Sequence, residues 1–290
     1  MRLNFDDRLE KSLFYFVICY GLFWCFLDIV DISGTDAGIV EIMSSQAHLF
    51  CTIIPLIIAY KLPWSKEVKL PRKDAKIGQI YLGILAAWFI YAWAVLMWHL
   101  FPEMNWIYVA FSPWVGPLVT KGVNPPHTYS INPWIALYRL STPIILIAFF
   151  LILRKQSLKT VGVSLDNLKR SMIPLIIPSI YVLVCMYLSD ISLHSIGMIV
   201  LANLVVGTSE ELLYRGFPLF RFEPLGRGVA VLVTGIFFAG VHIINGWFAP
   251  LMLIIEGLRW GLTLLKTRNI LPLIFLHAFM NIVSDLVLVV

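Results

Sequence analysis

The chain has 290 residues, of which 59% are hydrophobic and 13% charged, and its net charge is +5; mean hydropathy is +0.84. A soluble domain averages about 45–50% apolar and about 25% charged residues, so the composition excludes an ordinary soluble globular domain. It predicts an all-α, multi-pass membrane protein built as one helix bundle.

A helix needs about 20 apolar residues to cross the hydrocarbon core. Nine segments qualify in chain order: 12–30, 39–60, 77–99, 134–153, 172–188, 195–221, 229–246, 249–266 and 270–289. The first carries Asp28 and Asp31 and lacks the small-residue end of a signal peptide, so it reads as a retained helix. Cys19, Cys25, Cys51 and Cys185 all lie in apolar segments without a CxxC partner. They read as small core or lipid-facing residues. The stretch 100–133 holds six prolines together with Trp106, Tyr108, Trp114 and Tyr129. Proline blocks a long helix there and the aromatics suit a membrane interface, so it is expected to cap the outer side of the bundle. With the N-terminus in the cytoplasm, 19 of the 22 lysines and arginines fall on the cytoplasmic side, as the positive-inside rule requires. The basic residues therefore mark a membrane face, with membrane lipid as their partner, and argue against a nucleic-acid surface. The expected location is the plasma membrane of the cell.

Three polar signatures interrupt the apolar sequence near the C-terminal end: Glu210-Glu211-Leu-Leu-Tyr-Arg215, Phe238-Ala-Gly-Val-His242 and His277-Ala-Phe-Met-Asn281. Ionisable groups at bilayer depth are expensive and mark sites. Adjacent helical residues point about 100° apart, so Glu210 and Glu211 cannot do the same work. Glu211 and Arg215 are four apart, share a face and are expected to neutralise each other. Glu210 is then the carboxylate left for chemistry, and desolvation is expected to make it a better base. Counting residues from Arg221, Arg227 and Asn269 at about 1.5 Å each puts all three signatures roughly 12–22 Å into the membrane, if the sixth helix continues past Arg215. Such a set can activate water and stabilise an oxyanion, which points to an intramembrane hydrolase. On the intervening helix, Gly257 and Gly261 form a GxxxG step that lets backbones approach. Glu256 and Arg259 beside them read as a self-paired structural bridge. Asp28, Asp31, Glu41, His48, His99, Arg139 and Asp190 lie near helix ends or alone and read as structural.

The ordered set EExxxR, FxxxH and HxxxN resembles the CPBP family, also called Abi, which includes the type II CAAX prenyl endopeptidases and bacteriocin-processing or self-immunity proteins. The likeness covers about 172–290, leaving 1–171 as N-terminal membrane helices that match no named family. The stretch Gly257 to Asn281, with its turn Lys266-Thr-Arg-Asn269, Pro272 and His277, is also similar to that family. The resemblance implies a glutamate-type intramembrane endopeptidase acting on a peptide or protein substrate, with or without a lipid on it. It implies that Glu210 activates water with the help of His242, that His277 and Asn281 bind the oxyanion, and that Glu211 and Arg215 support the geometry. Members are often described as metalloproteases, and Glu210, His242 and His277 could supply a His₂Glu zinc set. HExxH is absent and Asn281 suits an oxyanion better than a metal, so the preferred expectation is no cofactor, with zinc as the alternative. Two other functions compete: a non-catalytic self-immunity or membrane partner protein that keeps the motifs, and a transporter with a proton relay. The sequence shows no inverted repeat to favour the transporter.

Overall fold

Apolar runs and the turns that punctuate them set the helices. The computed structural model describes residues 5–32, 46–62, 80, 119–121, 129–131, 133–165, 168–189, 191–240, 242 and 249–287. Helix α1 spans Phe5–Ile32; a π-turn at Leu49–Ile53 leads into α2, Ile54–Lys61; α3 spans Pro133–Arg154. Short helical turns then precede α4, Ile176–Leu188, and α5 runs from Leu193 to Glu211. A second π-turn, Leu212–Gly216, joins α5 to α6, Phe217–Phe222. The last three helices are α7, Arg227–Gly240, α8, Ala249–Thr267, and α9, Ile270–Val287. Among the described residues the exception to helix is one small antiparallel hairpin, Val119–Lys121 paired with Tyr129–Ile131, inside the segment expected to form a cap.

Among the described residues, three helical stretches are long and apolar enough to cross a membrane: Arg8–Leu27, Leu168–Leu188 and Leu193–Leu225. Leu49–Lys61, Arg227–Gly240 and Ile270–Leu286 are shorter apolar helices. The protein is helical and membrane-embedded. The expected segment 77–99, apart from Ile80, lies outside the described residues, as do Glu41, His99, Asp190 and most of 100–133. The side chains of Asp28, Asp31 and Arg139 lie outside them too.

One expectation holds with a twist and three are corrected. The sixth segment does continue past Arg215, but through a π-turn, which re-aims the side chains that follow Glu211. His242 sits beyond the end of α7, where its backbone N–H bonds the carbonyl of Ala239 at 3.0 Å; residues 243–246 of the expected segment lie outside the described residues. Arg221, Arg268 and Asn269 are buried inside the protein instead of lying in open loops. His48, expected to stand alone, is tied to Glu256 at 2.7 Å.

Burial of those polar residues knits one end of the bundle. Arg221 donates to the carbonyls of Thr160 and Phe217 and to Gln156 Oε1. Arg268 grips Glu223 with two nitrogens at 2.6 Å each, and Lys266 pairs with Glu10 of α1. Asn269 Oδ1 accepts from the Leu271 N–H at 3.1 Å, satisfying a backbone donor at the start of α9. Turns from α1, α6–α7 and α8–α9 therefore share one end, the basic end.

Close helix packing does the rest. Gly257 of α8 faces Gly235 of α7 so tightly that a Cβ on Gly257 would lie 2.7 Å from the Gly235 Cα. The GxxxG step thus works as the sequence suggests, with Gly235 as its partner. Gly207 brings α5 against α9 in the same way, since its Cβ would lie 2.8 Å from the Ile274 carbonyl oxygen and 3.6 Å from His277 Cβ. Asn203 adds a stitch between these helices by donating to Asp285 Oδ2 at 2.7 Å.

Candidate active site

The close approach at Gly207 places His277 of α9 beside the carboxylates that end α5. Glu211 is fully buried, and its Oε1 accepts from both Arg215 Nη1 and His277 Nδ1, the latter at 2.8 Å. A buried charge left alone would cost several kcal/mol, so the glutamate and arginine hold each other in place. The Arg215 guanidinium lies against two adjacent rings, 4.0 Å from the centroid of Phe238 and 4.8 Å from that of Trp260. Those faces receive the cation through the ring quadrupole. This helps explain why Arg215 Nε and Nη2 manage without hydrogen-bond partners among the described residues.

Glu210 points elsewhere, as its neighbouring position on α5 demands. Its Oε2 lies 3.6 Å from His242 Nε2 and 3.8 Å from His277 Nε2. Both imidazoles are oriented from behind. His242 Nδ1 is 2.7 Å from the Phe238 carbonyl, and a carbonyl can only accept, so this nitrogen carries a proton. The same reasoning puts a proton on His277 Nδ1, which faces the Glu211 carboxylate. Each ring therefore turns its Nε2 toward Glu210. Glu210 and His242 remain 19% and 21% exposed, whereas Glu211 and His277 are 0% and 4% exposed. The reachable side of the cluster is the Glu210–His242 side.

Asn281 follows His277 by one turn of α9 and is half-buried. The structure thus brings Glu210, Glu211, Arg215, His242 and His277 into one cluster, with Asn281 on the adjoining turn. Two further residues complete it. Phe238, the first residue of the FxxxH signature, packs its ring 4.6 Å from that of His242 and edge-on to His277. Trp260 stacks on His277 with centroids 4.4 Å apart and an angle of 27°. Sequence reasoning missed Trp260 and Gly207. Trp260 sits one residue beyond Arg259 in a helix whose only polar pair, Glu256 and Arg259, reads as structural, while Gly207, three residues before Glu210, carried a faint signal.

The spacing bears on a metal. Donors sharing a tetrahedral zinc with bonds of about 2.0–2.1 Å lie roughly 3.4 Å apart. The separations from Glu210 Oε2 are wider, and among the described residues no group of three or more histidine, cysteine, aspartate or glutamate side chains is arranged to hold a metal ion. At 3.6 and 3.8 Å the separations stand within a few tenths of an ångström of that set.

Residues 192–283 match the family model described as type II CAAX prenyl endopeptidase Rce1-like. All of the clustered residues lie inside that span. No curated protein matches the chain, and neither does any solved structure.

Proposed function

From the match of residues 192–283 to the type II CAAX prenyl endopeptidase family, we propose that this chain is an intramembrane endopeptidase that uses a glutamate to activate water. The carrying observation is Glu210 Oε2 standing between two histidine Nε2 atoms whose rings are fixed from behind. A neutral His242 protonated on Nδ1 offers a lone pair at Nε2. That lone pair and the Glu210 carboxylate are both acceptors, and a water molecule can donate to both. Glu210 removes one proton as the water oxygen attacks the peptide carbonyl, then returns it to the leaving amine.

The developing oxyanion needs donors. His277 already donates from Nδ1 to Glu211, so donation from Nε2 requires both nitrogens protonated. The imidazolium then lies beside two carboxylates, and with Arg215 the four groups sum to zero charge. Asn281 supplies a second, neutral donor from the next turn. Every role is filled by side chains of this chain, and no step involves a metal.

The same reading makes the bundle multi-pass, with its basic end and the N-terminus on the cytoplasmic side. Support comes from the three apolar helices and from the joining of Glu10, Glu223, Lys266 and Arg268 at one end. The substrate is a membrane-associated peptide or protein whose cleaved bond reaches Glu210 from that side.

The test is cleavage of C-terminal peptides, lipidated and unlipidated, by purified protein in bilayer discs. Wild type and Glu210→Gln are compared, each with and without a strong zinc chelator. Cleavage lost in the variant and indifferent to the chelator is expected. Cleavage abolished by chelator and restored by zinc would overturn the metal-free mechanism. Binding without cleavage in the wild type would instead favour a non-catalytic partner protein.

A further inference from the structure

Two constraints are needed to aim an imidazole. A hydrogen bond to Nδ1 fixes the direction in which the ring points, but the ring can still tilt about that bond, because its terminal torsion is broad. His277 has the first constraint in Glu211 Oε1 at 2.8 Å. The second lies in α8. The Trp260 indole, 3% exposed, lies almost parallel to the His277 ring at 4.4 Å. It is itself held edge-on by Phe238 at 5.7 Å and 68°.

The position of Trp260 is set from the far side of the same helix. Its neighbour Arg259 turns the other way, pairs with Glu256 and reaches Thr52 Oγ1 at 3.3 Å. Gly257 and Gly261 press α8 against α7 one turn apart. The helix can therefore neither rotate nor withdraw without breaking a buried contact.

We propose that Trp260 is a positioning residue that sets the plane of His277, so that Nε2 stays turned toward Glu210. The claim rests on the endopeptidase reading for its catalytic consequence, but not for the geometry itself. A flat aromatic face is what the position requires, and apolar bulk alone does not supply it.

Three variants separate these requirements. Trp260→Phe keeps a face, Trp260→Leu keeps bulk without a face, and Trp260→Met fills irregular space flexibly and replaces the leucine variant if that one fails to fold. The first readout is the Cε1–H resonance of His277 in protein carrying labelled histidine, assigned through His277→Gln. Indole stacking should hold that resonance upfield by ring current. It should move downfield in the leucine or methionine variant and return partway in the phenylalanine variant, while the His242 resonance stays put. The second readout is cleavage. The leucine variant should lose about 10- to 100-fold in kcat, as expected for misplacement of a catalytic group by about 1 Å. KM should be nearly unchanged, and Trp260→Phe should recover most of the loss.

A His277 resonance that does not move in the leucine or methionine variant would overturn the proposal. So would a face-less variant whose kcat matches wild type. If the wild type cleaves nothing, an unmoved resonance still overturns the stacking contact on which the positioning claim stands, and the missing activity counts against the endopeptidase reading.

Discussion

Two buried clusters in this molecule are built alike and differ in what stands behind them. In one, Glu211 pairs with Arg215 four residues on, and His277 from a distant helix donates Nδ1–H to the same glutamate oxygen at 2.8 Å. In the other, Glu256 pairs with Arg259 three residues on, and His48 sets its Nδ1 against Glu256 Oε1 at 2.7 Å. Each lies beside a π-turn. Behind His277 stands the second carboxylate, Glu210, and then His242. Behind His48 no second carboxylate stands among the described residues, and that side chain is 40% exposed. A glutamate–arginine pair that holds a histidine by Nδ1 is therefore a scaffold. Under the proposed endopeptidase reading the chemistry comes from the extra carboxylate that the histidine's other nitrogen faces, so the doubling Glu210-Glu211 is expected to matter and the lone glutamate at 256 is not.

The sharpest break of this comparison is between Glu210→Gln and Glu256→Gln. Glu210 is partly exposed and is proposed as the base, so its loss should lower kcat by about 10²- to 10⁴-fold with little change in thermal unfolding. Glu256→Gln strands the Arg259 charge in the interior and should lower stability by several kcal/mol, yet spare the turnover of molecules that stay folded. Purified variants assayed at one temperature, alongside melting curves, decide it. A Glu256→Gln protein that is stable but inactive would sink the distinction. Next come the arginines. Arg215→Leu and Arg259→Leu should each destabilise by about 3–5 kcal/mol, because each leaves a buried carboxylate without its arginine. Equal melting losses with activity gone only in Arg215→Leu would sharpen the contrast, whereas a stability near wild type for either would show that its pair is not the anchor described. Gly207→Ala replaces no site residue but would set a methyl 2.8 Å from the Ile274 carbonyl oxygen and 3.6 Å from His277 Cβ. It should push α9 away and lower kcat by about 10- to 100-fold, which steady-state cleavage rates would show.

The sequence made the helices and the polar residues of the cluster legible because membrane energetics are blunt. Long apolar runs announce α1, α3, α5 and α9, and charges inside such runs announce Glu210, Glu211, Arg215, His242 and His277. The pairing of Glu211 with Arg215 also followed from spacing alone. Illegible features were those that depend on which helix meets which. His48 gave no local sign of Glu256, which lies 208 residues away. Nothing in the apolar neighbourhood of Trp260 showed that its face would meet His277. Arg221 and Asn269 looked like surface markers because a lone charged or amide residue near a helix end usually is one, whereas here tertiary partners such as Gln156 and Ser164 draw them inside. The π-turn at Leu212–Gly216 was hidden for a further reason: it keeps the helical hydrophobic pattern while adding one residue to a turn.

The smallest effect expected is also the cleanest test of the scaffold idea. His48 lies outside the span that matches the endopeptidase family, in the part of the chain with no recognisable motif. It closes a ring in which Thr52 bonds the His48 carbonyl at 2.5 Å and accepts from Arg259, while His48 itself meets Glu256. Its hydrogen bond to a charged partner should be worth about 1 kcal/mol after discounting for exposure. His48→Gln should therefore lower the melting temperature by a few degrees, with kcat within about twofold of wild type, while His277→Gln abolishes cleavage. If His48→Gln instead lost activity as steeply as His277→Gln while melting like wild type, the second cluster would be part of the chemistry and the resemblance between the two would be functional. If it changed neither quantity, the ring would be an incidental contact, and the N-terminal helices would hold α8 through Glu10–Lys266, Tyr60 beneath the Lys266 ammonium and Thr52–Arg259 instead.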